Sequence, residues 1–229
     1  DTYAWALFVG LVNGLKVIVT SLLLSTIIGA VAGASSFSSN IILKSLSKLY
    51  VALARQIPLL LQLLFWYFVG LLNLPKEPIK FFGQAISLSN QSIDFIGLAF
   101  SPEFTALLLG LSVFTGASIA EVIRGAINSV EISQWEAFKS LGFSFRSGLR
   151  LIVLPQALPA IIPGLTSQYL NLAKNSTLAI AIGYADIYAI GDTTITQTGR
   201  AIEVFVVLLV CFLSLNLFIS RSMEMLNKF

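Results

Sequence analysis

Charged residues are missing from five long stretches of the chain, at 17–43, 56–75, 104–120, 151–173 and 204–220. Crossing about 30 Å of hydrocarbon takes roughly 20 mostly apolar residues in a helix, because backbone polar groups find no water there. The runs therefore predict five membrane-spanning helices, at about 6–34, 47–74, 103–126, 149–174 and 201–222. The expected fold is an all-α membrane protein forming a single domain over 1–229. Ala30-Val31-Ala32 has the small-x-small look of a signal-peptide cleavage site, but the segment before it is too long and carries Asp1. Asp1 is no initiator residue, so further chain upstream is expected.

Two connections stand out. In 73–102, Pro75, Pro78 and Asn90 punctuate the chain, while Phe81, Phe82, Phe95 and Phe100 suit a membrane interface. A long loop with an interfacial helix is predicted there. The connection at 128–147 carries Trp135, Phe138, Leu141 and Phe145 at spacings of three, three and four, an apolar stripe on a short amphipathic helix. Gly142 suits a left-handed cap ending that helix, and Ser144 can cap a second one running into the fourth span. The expected product is a bent, exposed aromatic knob. Lying on the membrane surface and filling a partner's hydrophobic groove are both open to it.

Composition agrees with the spans: 56% hydrophobic residues against 11% charged, with a mean hydropathy of +0.88. The formal charge of +3 does not point to nucleic acid, since no Lys/Arg cluster is dense enough to track phosphates. Lys44, Lys48, Arg124, Lys139, Arg146, Arg150, Arg221 and Lys228 flank one set of connections; only Lys76, Lys80 and Arg200 flank the other. Basic residues are retained on the cytoplasmic side, so 128–147 and the C-terminus are expected inside and the N-terminus outside. With no histidine and one cysteine, Cys211, the usual Cys/His zinc sites, Ser-His triads and an internal disulfide are excluded. No Gly-x-x-x-x-Gly-Lys-Ser/Thr loop is present either. No catalytic residue, metal site or cofactor is expected in this chain.

A charge at membrane depth needs an account. Lys174 follows an uncharged run and can snorkel to the interface, but Asn175, Ser176 and Thr177 come next and then an apolar stretch, as if the helix broke while still inside protein. Pro155, Pro159 and Pro163 share one helix face and predict a bend, either a static kink or a gating element. Arg55 has snorkelling open to it at the end of the second span, whereas Gln62, deeper in, is the better pathway candidate. Glu121 and Arg124 are spaced to pair with each other.

Several words of sequence carry a resemblance. The segment from Gln134-Trp135-Glu136-Ala137-Phe138 through Leu141-Gly142, followed by Leu154-Pro155-Gln156-Ala157 and Pro163, resembles the coupling motif of ABC importer permeases of the polar amino acid family. Tyr50-Val51-Ala52-Leu53-Ala54-Arg55-Gln56-Ile57-Pro58-Leu59-Leu60-Leu61-Gln62 resembles the family's second-helix motif, and Ala120-Glu121-Val122-Ile123-Arg124-Gly125 its third. Leu172-Ala173-Lys174-Asn175-Ser176-Thr177-Leu178 and Ala181-Ile182-Gly183-Tyr184 are most similar to heterodimeric permeases of the general L-amino-acid and glutamate/glutamine type. Phe138 departs from the pattern where a second Ala is usual, and Ser133 where Gly is usual.

The resemblance implies a type I ABC importer permease with a cytoplasmic coupling helix between the third and fourth spans. It implies a bacterial inner-membrane subunit that moves acidic or neutral polar L-amino acids by alternating access. Its partners would be a second related permease, two ATPase subunits that bind ATP and Mg, a periplasmic solute-binding protein, and membrane lipid. Gln62, Gln168, Lys174, Asn175 and Thr177 become candidate pathway residues, and Gln134, Trp135, Glu136, Ala137, Phe138, Leu141 and Gly142 the ATPase-coupling set. The alternative is an ion-coupled secondary transporter of amino acids, which would call for coupling groups near the midplane and repeated halves.

Overall fold

The computed structural model describes all residues except 1, 82–83, 96–97 and 228–229. Asp1, Phe82 and Lys228, used above, lie outside the described residues. Four helical segments are long and apolar enough to cross a membrane: Tyr3–Ser35, Pro102–Asn128, Phe145–Ile182 and Ala201–Asn227. A fifth span is supplied by a bent pair, Ile41–Gln56 and Leu59–Leu71, which turn by 103°. Helices are labelled α1 (Thr2–Ser35), α2 (Ile41–Gln56), α3 (Leu59–Leu64, continuing as a π-helix over Phe65–Leu71) and α4 (Pro102–Asn128). Then come α5 (Ile132–Ser140), α6 (Phe145–Gly148), α7 (Leu154–Asn175), α8 (Ile187–Thr198) and α9 (Ala201–Asn227).

α1 and α4 form the centre. They approach closely because Gly29 has no side chain: an added methyl there would lie 2.5 Å from Ile119 Cγ2 and 2.8 Å from the Gly116 carbonyl oxygen. Close backbone approach through small residues replaces hydrophobic driving force where lipid is as apolar as leucine. The outer surface is correspondingly apolar, with Ile202, Phe205, Leu209, Leu213 and Phe218 of α9 all exposed, as a bilayer solvent requires.

Where one span was expected over 47–74, the structure has two helices separated by a sharp break. Ile57, before Pro58, adopts extended φ/ψ of −90° and 125° because the proline ring crowds the α region of its predecessor. The carbonyls freed by the break are not left bare. Gln62 Nε2 donates to Ala54 O at 2.7 Å and Ile57 O at 2.9 Å, from a side chain that is itself buried.

The loop with interfacial helix expected over 73–102 is also corrected. The described part is a four-stranded antiparallel meander, β1 (Ile79–Phe81), β2 (Ile86–Leu88), β3 (Ile93–Phe95) and β4 (Leu98–Phe100). Its register pairs Ile79 with Leu88, Ile86 with Phe95 and Ile93 with Phe100. Ser101 caps α4, accepting from Phe104 N at 3.1 Å, with Pro102 in the first turn.

The prolines of α7 do not break it. A π-helical turn, Leu149–Val153, precedes Pro155, and the helix closes in a 3₁₀ segment, Ser176–Ile182, ended by Gly183 at φ +75°. The next element, α8, was not anticipated. Its N-cap is Asp186, 1% exposed, whose Oδ1 accepts from Ala189 N at 2.8 Å while Oδ2 has no hydrogen-bond partner among the described residues. This corner is latched to α1: Asn13 Nδ2 donates to Ala185 O at 3.0 Å, and Tyr184 Oη donates to Asn13 O at 3.2 Å. Burial pushes the Asp186 carboxyl up to about 6.

Candidate translocation site and coupling loop

On α7, Gln168, Asn171 and Asn175 recur at spacings of three and four, so their side chains share one face, with Lys174 beside them. That face borders a cavity of about 640 Å³ whose other walls are Phe114, Thr115, Ser118, Glu121 and Val122 of α4 and Arg55 from the last turn of α2. Lys174 is exposed at this wall and Asn175 half-buried. The sequence-predicted pathway residues thus separate. Gln168, Lys174 and Asn175 come together; Gln62 sits instead in the α2–α3 break, and Thr177 donates its hydroxyl to Lys174 O at 2.8 Å without lining the cavity. Asn171 was missed, although its spacing from Gln168 and Asn175 was a usable signal.

Below this cavity the polar lining continues. A second cavity of about 530 Å³ shares Arg55 and Glu121 with the first and adds Lys48, Gln56 and Arg124. Glu121 and Arg124 do pair, through Nε to Oε1 and Nη2 to Oε2, both at 2.7 Å, in the bidentate geometry guanidinium favours. Arg55 adds a longer contact of 3.5 Å to Oε2. Tyr50 Oη donates to Val113 O at 2.7 Å, so α2 is held to α4 on the same side.

In the connection between α4 and α7, α5 ends in a Schellman motif. Phe143 N donates to Phe138 O at 3.1 Å and Gly142 N to Lys139 O at 3.0 Å, with Gly142 at φ +75°. Ser144 then caps α6, its Oγ accepting from Ser147 N at 3.2 Å. The aromatic stripe is not one exposed knob, which corrects the expectation. Phe138 is fully buried, packed on Gly148, where any added methyl would strike its ring, and clustered with Val153 and Ala157. Trp135 lies half-buried between Phe138 and Phe145, at ring distances of 5.7 and 6.0 Å. Gln134 accepts from Gln156 of α7 at 3.2 Å. Of the coupling set, Glu136, Ala137, Leu141 and Gly142 remain exposed, and Ile132, Phe143 and Phe145 add to the apolar surface beside them.

Residues 25–229 match the family model of the binding-protein-dependent transport system inner membrane component. The chain belongs to that family. It is 34% identical, over 99% of its length and 77% of that protein's, to the general L-amino acid transport system permease AapQ of Rhizobium johnstonii. It is 29% identical, over 90% of its length and 79% of that protein's, to the glutamate/aspartate import permease GltJ of Escherichia coli. Among solved structures, an amino acid ABC transporter with histidines superposes with a TM-score of 0.78 at 26% identity, covering 99% of this chain and 95% of that one. The protein is therefore a multi-pass inner-membrane permease subunit of an ABC importer, with a type I importer fold, and the relatives named here are amino-acid permeases. The ion-coupled alternative is set aside on this kinship. The ATPase is a separate subunit, and the family works with ATPase subunits and a binding protein.

Proposed function

We propose that the cavity between α4 and α7 is this subunit's part of the translocation path, and that it passes acidic and neutral polar L-amino acids. The observation that carries the reading is the wall of Gln168, Asn171, Lys174 and Asn175, amides and one cation facing a cavity of about 640 Å³. Asn175 stands where relatives in the resembled family carry Asp. An amide offers hydrogen bonds without the charge that would hold a cationic substrate in a poorly solvated site. The glutamate/aspartate name of one relative runs the same way. Competition uptake by the assembled transporter tests it: in Asn175→Asp, inhibition by arginine strengthens relative to inhibition by glutamate. An unchanged profile places selectivity wholly in the binding protein or the partner permease.

In this reading the subunit pairs with a second, related permease to close the path, and the α5–α6 loop meets the ATPase subunits, which bind ATP and Mg; this chain needs no cofactor of its own. Phe138 seats the loop on the spans, while Leu141, Phe143 and Phe145 present the contact surface with Glu136 and Ala137. The basic excess around this loop supports a cytoplasmic loop and C-terminus, with the N-terminus and meander outside. A reporter fused at the C-terminus is then active only in forms that work in the cytoplasm.

A further inference from the structure

Arg55 looks at first like a structural residue, an end-of-helix arginine touching Glu121. The distances say otherwise. Glu121 already receives two 2.7 Å bonds from Arg124, one to each oxygen, so its charge is met without Arg55. Arg55 reaches only Oε2, and only at 3.5 Å, beyond the range of a strong charged hydrogen bond. Its side chain is 50% exposed, and its guanidinium, which carries five N–H donors, has no other ion pair among the described residues. It borders both cavities and stands at their junction. Lys174, on another wall of the larger cavity, has no ion pair among the described residues. The larger cavity is therefore lined by three ionised groups, Arg55 and Lys174 against Glu121, a local excess of one positive charge that a neutral amino acid cannot balance.

An amino acid with a second carboxylate can. We infer that Arg55 is a specificity-determining residue, holding one carboxylate of an acidic amino acid while Lys174 holds the other. Its planar fork matches a carboxylate with two parallel hydrogen bonds, which an amide side chain can meet with only one acceptor. The 103° turn directly after α2 is what leaves Arg55 at the junction of the two cavities. The inference rests on the cavity being the substrate path.

The test uses the full transporter, reconstituted with its partner permease, ATPase and binding protein in liposomes, and compares uptake of labelled L-glutamate and L-glutamine. Arg55→Gln lowers glutamate kcat/KM relative to glutamine by at least about tenfold, the scale of one charge-assisted pair. Arg55→Lys, which keeps the charge but loses the fork, restores part of that ratio. Should Arg55→Gln fail to accumulate in membranes, Arg55→Lys alone is read, with a several-fold shift toward glutamine expected. Parallel loss of both substrates, or an unchanged ratio, overturns the assignment and leaves Arg55 as a tie to Glu121. Lys174→Gln separates the two levels of the argument. If it changes glutamate uptake while Arg55→Gln leaves the ratio alone, the cavity stands and Arg55 falls; if neither matters, or the wild type moves neither substrate, both fall.

Discussion

Two spans of this permease are interrupted by proline, and they respond in opposite ways. One proline, Pro58, separates α2 from α3 and goes with a 103° turn. Three prolines, Pro155, Pro159 and Pro163, leave Phe145–Ile182 a single span. The count of prolines therefore does not decide the outcome; what happens to the freed carbonyls does. At the α2–α3 break a buried glutamine donates to two of the freed carbonyls, Ala54 O and Ile57 O. In α7 the three prolines lie on an exposed stripe, and the chain absorbs the first of them in a π-turn, where Leu154 N reaches back to Leu149 O. A break is stable where a side chain is placed to complete it.

The sharpest way to break this comparison is Gln62→Leu, which keeps the volume and removes the donors. One buried and one part-buried carbonyl would lose their donor, and the solubilised complex should lose about 1–3 kcal/mol in thermal or denaturant unfolding. A loss no larger than that of an exposed leucine substitution would show that the break does not depend on the glutamine.

Next in size is the corner after α7, where Asp186 keeps an unpartnered oxygen under burial. Its folded value of about 6 lies above the ordinary 3.8, so the folded state holds the proton longer than the unfolded one. Stability should therefore fall as pH rises between about 4 and 6 and level off above. Asp186→Asn, which can still accept from Ala189 N, should lack that component when unfolding is followed across the same pH range. Equal slopes in the two proteins would remove the burial argument.

Two smaller effects complete the set. Pro58→Ala is expected to cost about 1 kcal/mol or less, with the turn retained, because Gln62 still completes it. Spin labels at Leu46 and Phe68 would report a lengthened distance if proline alone made the bend. Pro159→Ala should change stability by less than about 1 kcal/mol in either direction, since its face is exposed and the helix already continuous. A large loss there would mean the stripe is packed in the assembled transporter.

What the sequence disclosed follows the same division between local and distant causes. The stop at Gly142 and the restart at Ser144 were legible because cap chemistry is written within a few residues. The burial of Phe138 was not, because it depends on the chain turning back so that Gly148 of α6 offers no side chain against its ring. The break at Pro58 had a local sign, the pre-proline Ile57, but an uncharged run reads as continuous. The meander was hidden by strands only three residues long, too short for alternation to compete with the Pro and Phe signals. α8 falls between the uncharged runs and so was not anticipated; its Thr193, Thr194, Thr196 and Thr198 each return their hydroxyl to the carbonyl four residues back. In the pathway, Lys174 and Asn175 were visible as oddities at depth, whereas Arg55 joined them only through a turn that brings distant segments to one cavity.

The tight seat of Gly29 against Gly116 and Ile119 also fixes an order of events during synthesis. α1 leaves the ribosome well before α4, with the bent span and the whole meander made in between. At roughly 5–20 residues per second the wait is on the order of ten seconds. Throughout it the bare glycine face of α1 has only lipid or the insertion machinery for company, and the centre of the molecule is assembled last among its first three spans.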